Sequence, residues 1–403
     1  MERYEEYKDF GVEWIGEIPR GWGAAAAKRW ARISNGSNPT TNGNTPVYGS
    51  SGVAFKTCGE SKQAPAVLLG RKGTIGSPSY IDHPYWNVDT AFDVKTDEEV
   101  LKLRYYFYLA TCFDYARYQT NTTVPSMTQT DYEDMIIPLP SVIEQQAIAG
   151  YLDAKTVEID ALVADCERAV DLLREYRKAV ISEAVTKGLN PDVPTKNSGI
   201  EWIGNIPSTW RVVRGKEVFA EKDARSEDGE GELLTVSHLT GITPRATKNV
   251  NMFMSESLIG YKKCRKGDIA ANTMWLWQGA IGISAYDGVI SPSYNVYAIN
   301  AGYYHPQYLD YLLRTPRLVA TYNKLSLGIT KSRLRLYPDK FLCIYFPVPP
   351  YEEQCAIVSH LRSATTKIDS LIEVNQSMAD KLREYRRSLI SEAVTGKFKV
   401  PGI

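Results

Sequence analysis

The chain has 403 residues, of which 43% are hydrophobic and 23% charged, the balance of a soluble globular protein too long for one ordinary domain. Its formal net charge of zero excludes a uniformly basic surface, but residues 210–346 hold 18 basic and 12 acidic side chains while residues 1–19 hold 2 and 6. Six cysteines without a CxxC pair and four histidines argue against disulfides or zinc, and no signal-peptide pattern or run of about 18 apolar residues occurs, so a cytoplasmic chain with no membrane span and no metal is expected.

Along the chain, the first distinctive segment is GVEWIGEIPRGW, starting at Gly11. A four-alanine run follows at Ala24–Ala27, where an opening strand is expected. Residues 23–137 then mix short apolar strands (Ala66–Gly70, Ala91–Val94) with an aromatic helix near Leu101–Ala116, the pattern of an α/β unit. Its loops contain a polar turn at Tyr48, Ser50 and Ser51, and the run RKGTIG from Arg71. Glycine lets backbone approach another surface closely. Arg71 and Lys72 beside it suit phosphate contacts, and Thr74 suits hydrogen bonds. RKG is also a plain turn sequence.

Residues 142–187 contain no proline and a single glycine, Gly150. Every seventh residue from Leu152 is apolar: Leu152, Ile159, Cys166, Leu173 and Val180. Ile148, Leu162, Ala169 and Tyr176 fill most of a companion line, with Lys155 and Glu183 as breaks. This is a heptad pattern. A helix of 46 residues would be roughly 69 Å long at ~1.5 Å per residue.

The chain then repeats itself. GIEWIGNIPSTW from Gly199 answers the segment at Gly11, an offset of 188. PVPPYEEQCAI from Pro347 answers PLPSVIEQQAI from Pro138, and LREYRRSLISEAVT from Leu382 answers LREYRKAVISEAVT from Leu173, both at an offset of 209. Two frames are thus alike around two dissimilar inserts. The second insert, 211–346, again reads as α/β, with strands near Ile269 and Val296 and a helix near Pro306–Leu313. It carries RKGDIAAN from Arg265 and WQGAIG from Trp277, giving Lys266, Asn272 and Gln278 as candidate DNA contacts. Lys331, Arg333 and Arg335 alternate, so a strand there would line three cations on one face, suited to DNA or to a solvated edge strand. The second long helix repeats the seam with Leu361, Ile368, Asn375, Leu382 and Leu389, accompanied by Ile357, Ala364, Leu371, Met378 and Tyr385. Antiparallel pairing of the two helices is the simplest way to cover both seams. The expected interface is Leu152, Ile159, Leu162, Cys166 and Leu173 with Leu361, Ile368, Leu371, Asn375 and Leu382.

Catalytic signatures are missing. SPSY at Ser77–Tyr80 and Ser291–Tyr294 has serine where a DNA amino-methyltransferase motif has its second proline, and no glycine-rich cofactor loop accompanies it. No phosphate loop, HExxH or GxSxG occurs.

EWIGxIPxxW at the head of each half, PxPxxxEQ leading into each helix, and LREYRxxxISEAVTxG closing it resemble the specificity subunits of type I restriction–modification enzymes over essentially the whole chain. The resemblance implies an α+β fold with two α/β target-recognition domains joined by two long helices in an antiparallel coiled coil, a pseudo-two-fold repeat. The expected boundaries are 1–140 for the first head and recognition domain, 141–190 for the central helix, 191–349 for the second head and recognition domain, and 350–403 for the C-terminal helix. It also implies a non-catalytic reader of a bipartite double-stranded DNA target. Its partners would be two methyltransferase subunits, which bind S-adenosylmethionine, and motor-nuclease subunits, and the chain itself would hold no cofactor. The alternatives are a duplicated coiled-coil scaffold that binds proteins only, and a fused methyltransferase, which the missing cofactor motif opposes.

Overall fold

The computed structural model describes residues 2–120, 122–247, 257–300, 302–329 and 334–403. They form two compact units, residues 1–167 with 376–403, and residues 168–375. The long helices, Val142–Lys187 and Tyr351–Val394, are therefore not segments apart, as the expected boundaries have them. Each is divided between the units, because its first turns pack on one insert and its last turns on the other. Ile148 and Leu152 belong to the core of the first unit, and Ala184 and Val185 to that of the second. The glycines that follow, Gly188 and Gly396, have φ of 78° and 69°, the left-handed geometry that stops a helix.

The first unit holds a four-stranded antiparallel sheet in the order Ala31–Asn35, Ala91–Thr96, Ala66–Gly70, Ser79–Ile81. The second holds Phe219–Lys222, Asn295–Ile299, Ile269–Ala271 and Ile281–Ile283 in the same order and sense. A frame strand closes each insert. Gly23–Ala26, which holds the first three alanines of the run, pairs with Ile136–Leu139, and Arg211–Arg214 pairs with Tyr345–Val348.

The repeated motifs explain how each insert is fastened. In the first unit the amide of Gln145, fully buried, donates to Val100 O (2.8 Å) and Pro140 O (3.0 Å) and accepts from Lys102 N (2.8 Å). In the second, Gln354 donates to Tyr303 O (2.9 Å) and Pro349 O (3.0 Å) and accepts from His305 N (2.8 Å). The glutamate one residue earlier accepts from the indole of the head tryptophan: Trp22 to Glu144 at 3.3 Å, Trp210 to Glu353 at 2.9 Å. A buried tyrosine of each insert then caps the end of a long helix. Tyr105 donates to Val394 O (3.0 Å) and Tyr308 to Val185 O (2.8 Å). These bonds satisfy buried groups that would otherwise be costly to desolvate.

The helix faces follow the heptad with one correction. Leu152, Ile159, Leu361 and Ile368 are buried, and Cys166, Leu173, Asn375 and Leu382 are partly covered. Leu162 and Leu371, expected beside them, are about half exposed, as are Tyr176, Met378 and Tyr385. The companion line instead lies four residues after each seam residue: Thr156, Val163 and Val170 on the first helix, Thr365, Ile372 and Ala379 on the second. Arginines continue it. Within the first unit Arg386 pairs with Asp160 (2.9 Å) and Arg383 with Glu167; within the second, Arg177 pairs with Asp369 (2.8 Å). The two pairs of the first unit run in antiparallel order.

Candidate nucleic-acid interface

The strand Ala66–Gly70 runs into the turn of Arg71–Gly76. A side chain at Gly70 would place its Cβ 2.0 Å from Thr74 O, so only glycine lets this turn fold back so tightly. The turn is held on all sides. Arg71 N donates to Thr90 O (2.8 Å), Gly73 N to Pro125 O (2.9 Å), and Thr74 N to Ser50 Oγ (3.4 Å). Lys72 and Thr74 are left exposed, and Ser51 stands in the neighbouring turn, also exposed. Arg71 is more committed: its guanidinium lies 5.8 Å above the Phe92 ring and donates to Asp89 O (3.2 Å), so it braces the turn.

Two features of this face were not read from the sequence. Pro125 and Ser126 pack against Lys72 and Gly73, and Thr120, Thr122 and Thr123 nearby present exposed hydroxyls. Thr120 Oγ1 lies 3.0 Å from Ser126 Oγ, and Thr122 Oγ1 donates to Val124 O (2.7 Å). The strand Ala54–Cys58 leaves Phe55 exposed with Lys56 Nζ 5.5 Å over its ring. Serine and threonine runs look like any loop, so only their place beside the RKG turn marks them.

In the second unit the equivalent strand is Ile269–Ala271, and the turn after it spans residues 272–280. Here three expectations change. Asn272 is buried: its amide donates to Tyr294 Oη (2.9 Å) and Val236 O (3.3 Å) and accepts from Met274 N (3.2 Å), so it builds the turn instead of facing a ligand. Burial pushes the Tyr294 hydroxyl above its ordinary value, which keeps it protonated beside that amide. Lys266 is exposed, but it precedes the strand, whereas Arg71–Gly73 follow theirs. The two RKG runs thus sit at opposite ends of equivalent strands, and the shared triplet is not a shared site. Arg335 is half-buried and exchanges backbone bonds with Leu327 (2.8 and 2.9 Å), while its Nη1 donates to Leu334 O (2.9 Å). Lys331 and Arg333 lie outside the described residues. Gln278 is half-buried at the end of a single 3-10 turn, Leu276–Gln278. Gly279 follows with φ of 90° and packs on Val319 just as Gly76, φ 86°, packs on Tyr115.

Among the described residues, no group of three or more His, Cys, Asp or Glu is placed to hold a metal ion, and no helix is long and apolar enough to cross a membrane. What the two faces offer is hydrogen-bonding hydroxyls, amides, cations and aromatic rings on rigid turns, the chemistry of binding to phosphates and base edges.

Comparison with known proteins gives a consistent picture. Residues 26–161 match the family model for the type I restriction modification DNA specificity domain. The type I restriction enzyme MjaVIII specificity subunit of Methanocaldococcus jannaschii is 24% identical over 360 residues, covering 85% of this chain and 79% of that protein. The EcoBI specificity subunit of Escherichia coli is 24% identical, covering 82% and 73%. Among solved structures, a chain from work on complex assembly and conformational transition of the type I R-M system superposes with a TM-score of 0.69 at 17% identity, covering 94% of this chain and 99% of that one. The HsdS subunit from Thermoanaerobacter tengcongensis gives 0.55 at 14% identity, covering 97% and 100%. The fold is shared with both.

Proposed function

We propose that the chain is a specificity subunit of a type I restriction–modification enzyme, as its similarity to such subunits supports, and that each of its inserts reads one half of a split duplex target. In the first unit Lys72, Thr74, Ser51 and the hydroxyls of residues 120–126 face the DNA. In the second, the 272–280 turn with Gln278 does so, and Lys331 and Arg333 are further candidates by their charge. The long helices set the separation of the two half-sites. Their exposed apolar residues, Leu172, Tyr176, Leu371 and Tyr385, dock two methyltransferase subunits, which supply S-adenosylmethionine and the methyl transfer. Motor-nuclease subunits complete the restriction enzyme.

One observation supports this reading above the rest. Two inserts share a sheet order and a set of fastening bonds, yet the turns at the same end of equivalent strands carry unrelated chemistry. A constant frame with unlike turns is what reading two different sequences requires. Phosphate contacts position such a surface, and base-edge contacts specify it.

The test is duplex binding by the chain assembled with its methyltransferase subunits, measured across a salt series. Affinity should fall steeply with salt, and Lys72→Ala should lower the slope by about 1 if Lys72 meets a phosphate. Binding that ignores salt and DNA sequence would leave only a protein scaffold.

A further inference from the structure

The 272–280 turn presents an aromatic side chain that the reading above does not use. Trp275 is 47% exposed, and its ring stacks on Trp277 at 6.1 Å with 17° between the planes. The pair is rigid. Trp277 Nε1 donates to Met274 O (3.0 Å), Trp275 N to Asn272 O (2.9 Å), and both Gln278 N (2.9 Å) and Ala280 N (3.2 Å) to Trp275 O. Leu276 between them is fully buried, so the backbone cannot swing the ring inward. A stiff, half-exposed indole is apolar surface held ready for burial, since little entropy remains to be lost on binding.

Its position identifies the occupant. The turn that carries Trp275 occupies the place in the second unit that Arg71–Gly76 occupies in the first, after the same strand and before the same glycine packed on a short helix. In the first unit that place presents a lysine and a threonine; in the second it presents stacked indoles. The described part of this turn, residues 272–280, contains no cation.

We propose that Trp275 makes an apolar contact to a base in the half-site read by the second insert, and so determines specificity there without contributing to phosphate neutralisation. The contact is either to a thymine methyl group or to the face of an unstacked base; both are apolar base surfaces an indole can cover. This proposal rests on the reading that the second insert faces DNA.

The experiment assembles the full chain with its methyltransferase subunits. Single-molecule sequencing of DNA methylated by the complex in a modification-free host first yields the bipartite target. Duplexes of that sequence are then bound by wild type, Trp275→Ala, Trp275→Phe and Trp275→Lys. Alanine should bind at least about fivefold more weakly, with the salt slope unchanged. It should also relax one position of one half-sequence while the other half stays fixed. Phenylalanine should restore most of the loss and lysine should not. Replacing thymine by uracil in that half-site should abolish the wild-type advantage if the methyl group is the contact, and leave it if a base face is.

Several results would overturn the proposal: unchanged affinity and target in Trp275→Ala, rescue by lysine, or loss of subunit assembly with the target intact. Failure of the wild-type complex to methylate any bipartite sequence would instead refute the reading on which the proposal rests.

Discussion

At the scale of single residues, the firmest consequences concern the repeated glutamine. Gln145 and Gln354 each satisfy three buried backbone groups that link a helix start to its insert. Gln354→Ala strands a donor and two acceptors, so urea unfolding of the full chain should show a loss of about 1–3 kcal/mol. An unchanged midpoint would mean that water replaces the amide. Glu60 offers a pH test. Thr40 N (2.6 Å), Thr40 Oγ1 (2.7 Å) and Thr41 N (3.0 Å) donate to its carboxylate and hold its pKa down to about 2. Its folded value thus lies below the unfolded one of roughly 4.3. The stability it contributes is present above that unfolded value and is lost as pH falls towards 2. Glu60→Gln should flatten the acid limb of stability over that window, and an unaltered limb would contradict the assignment. Of the residues expected to contact DNA, the sequence does not distinguish those on the surface from those inside a turn. Lys72, Thr74 and Ser51 lie on the surface, but Asn272 looks the same in sequence whether it faces a ligand or builds a turn.

At the scale of elements, the repeats made the frame legible, because bonds such as Trp22–Glu144 and Trp210–Glu353 need the same residues at the same spacing in both copies. The seam residues Leu152, Ile159, Leu361 and Ile368 were legible from their period. The companion line was not. Leu162, Leu371, Met378 and Tyr385 are the more apolar choice, yet they face outward, while Thr156 and Thr365 are buried. Thr365 achieves this by donating its hydroxyl to Leu361 O (2.7 Å) inside its own helix. The RKG triplets misled for a related reason: three residues carry no information on which end of a strand they occupy. The arginine pairs allow a direct test of the helix register. Asp160→Arg should destabilise the first unit, and adding Arg386→Asp should recover about 0.2–1 kcal/mol, the range for exposed pairs. No recovery in the double-mutant cycle would show that the pair does not fix the register.

At the scale of the whole molecule, the account separates what is constant from what varies. If the helices set the gap, removing seven matched residues from each should shorten the support by about 10.5 Å at ~1.5 Å per residue. That is roughly three base pairs at ~3.4 Å per step. Both half-sequences should survive and the unread gap should shrink; an active variant that keeps its gap would place the ruler elsewhere. The central claim is that each insert reads its own half. It is tested most directly by mapping methylated adenines, by single-molecule sequencing, in cells that express the methyltransferase subunits with either the native chain or a chimera. In the chimera, residues 211–346 are replaced by the corresponding insert of a relative with a different target. The account predicts that one half-sequence changes to the relative's while the other half and the gap are retained. A chimera that methylates DNA with both half-sequences altered, or with neither, would contradict it.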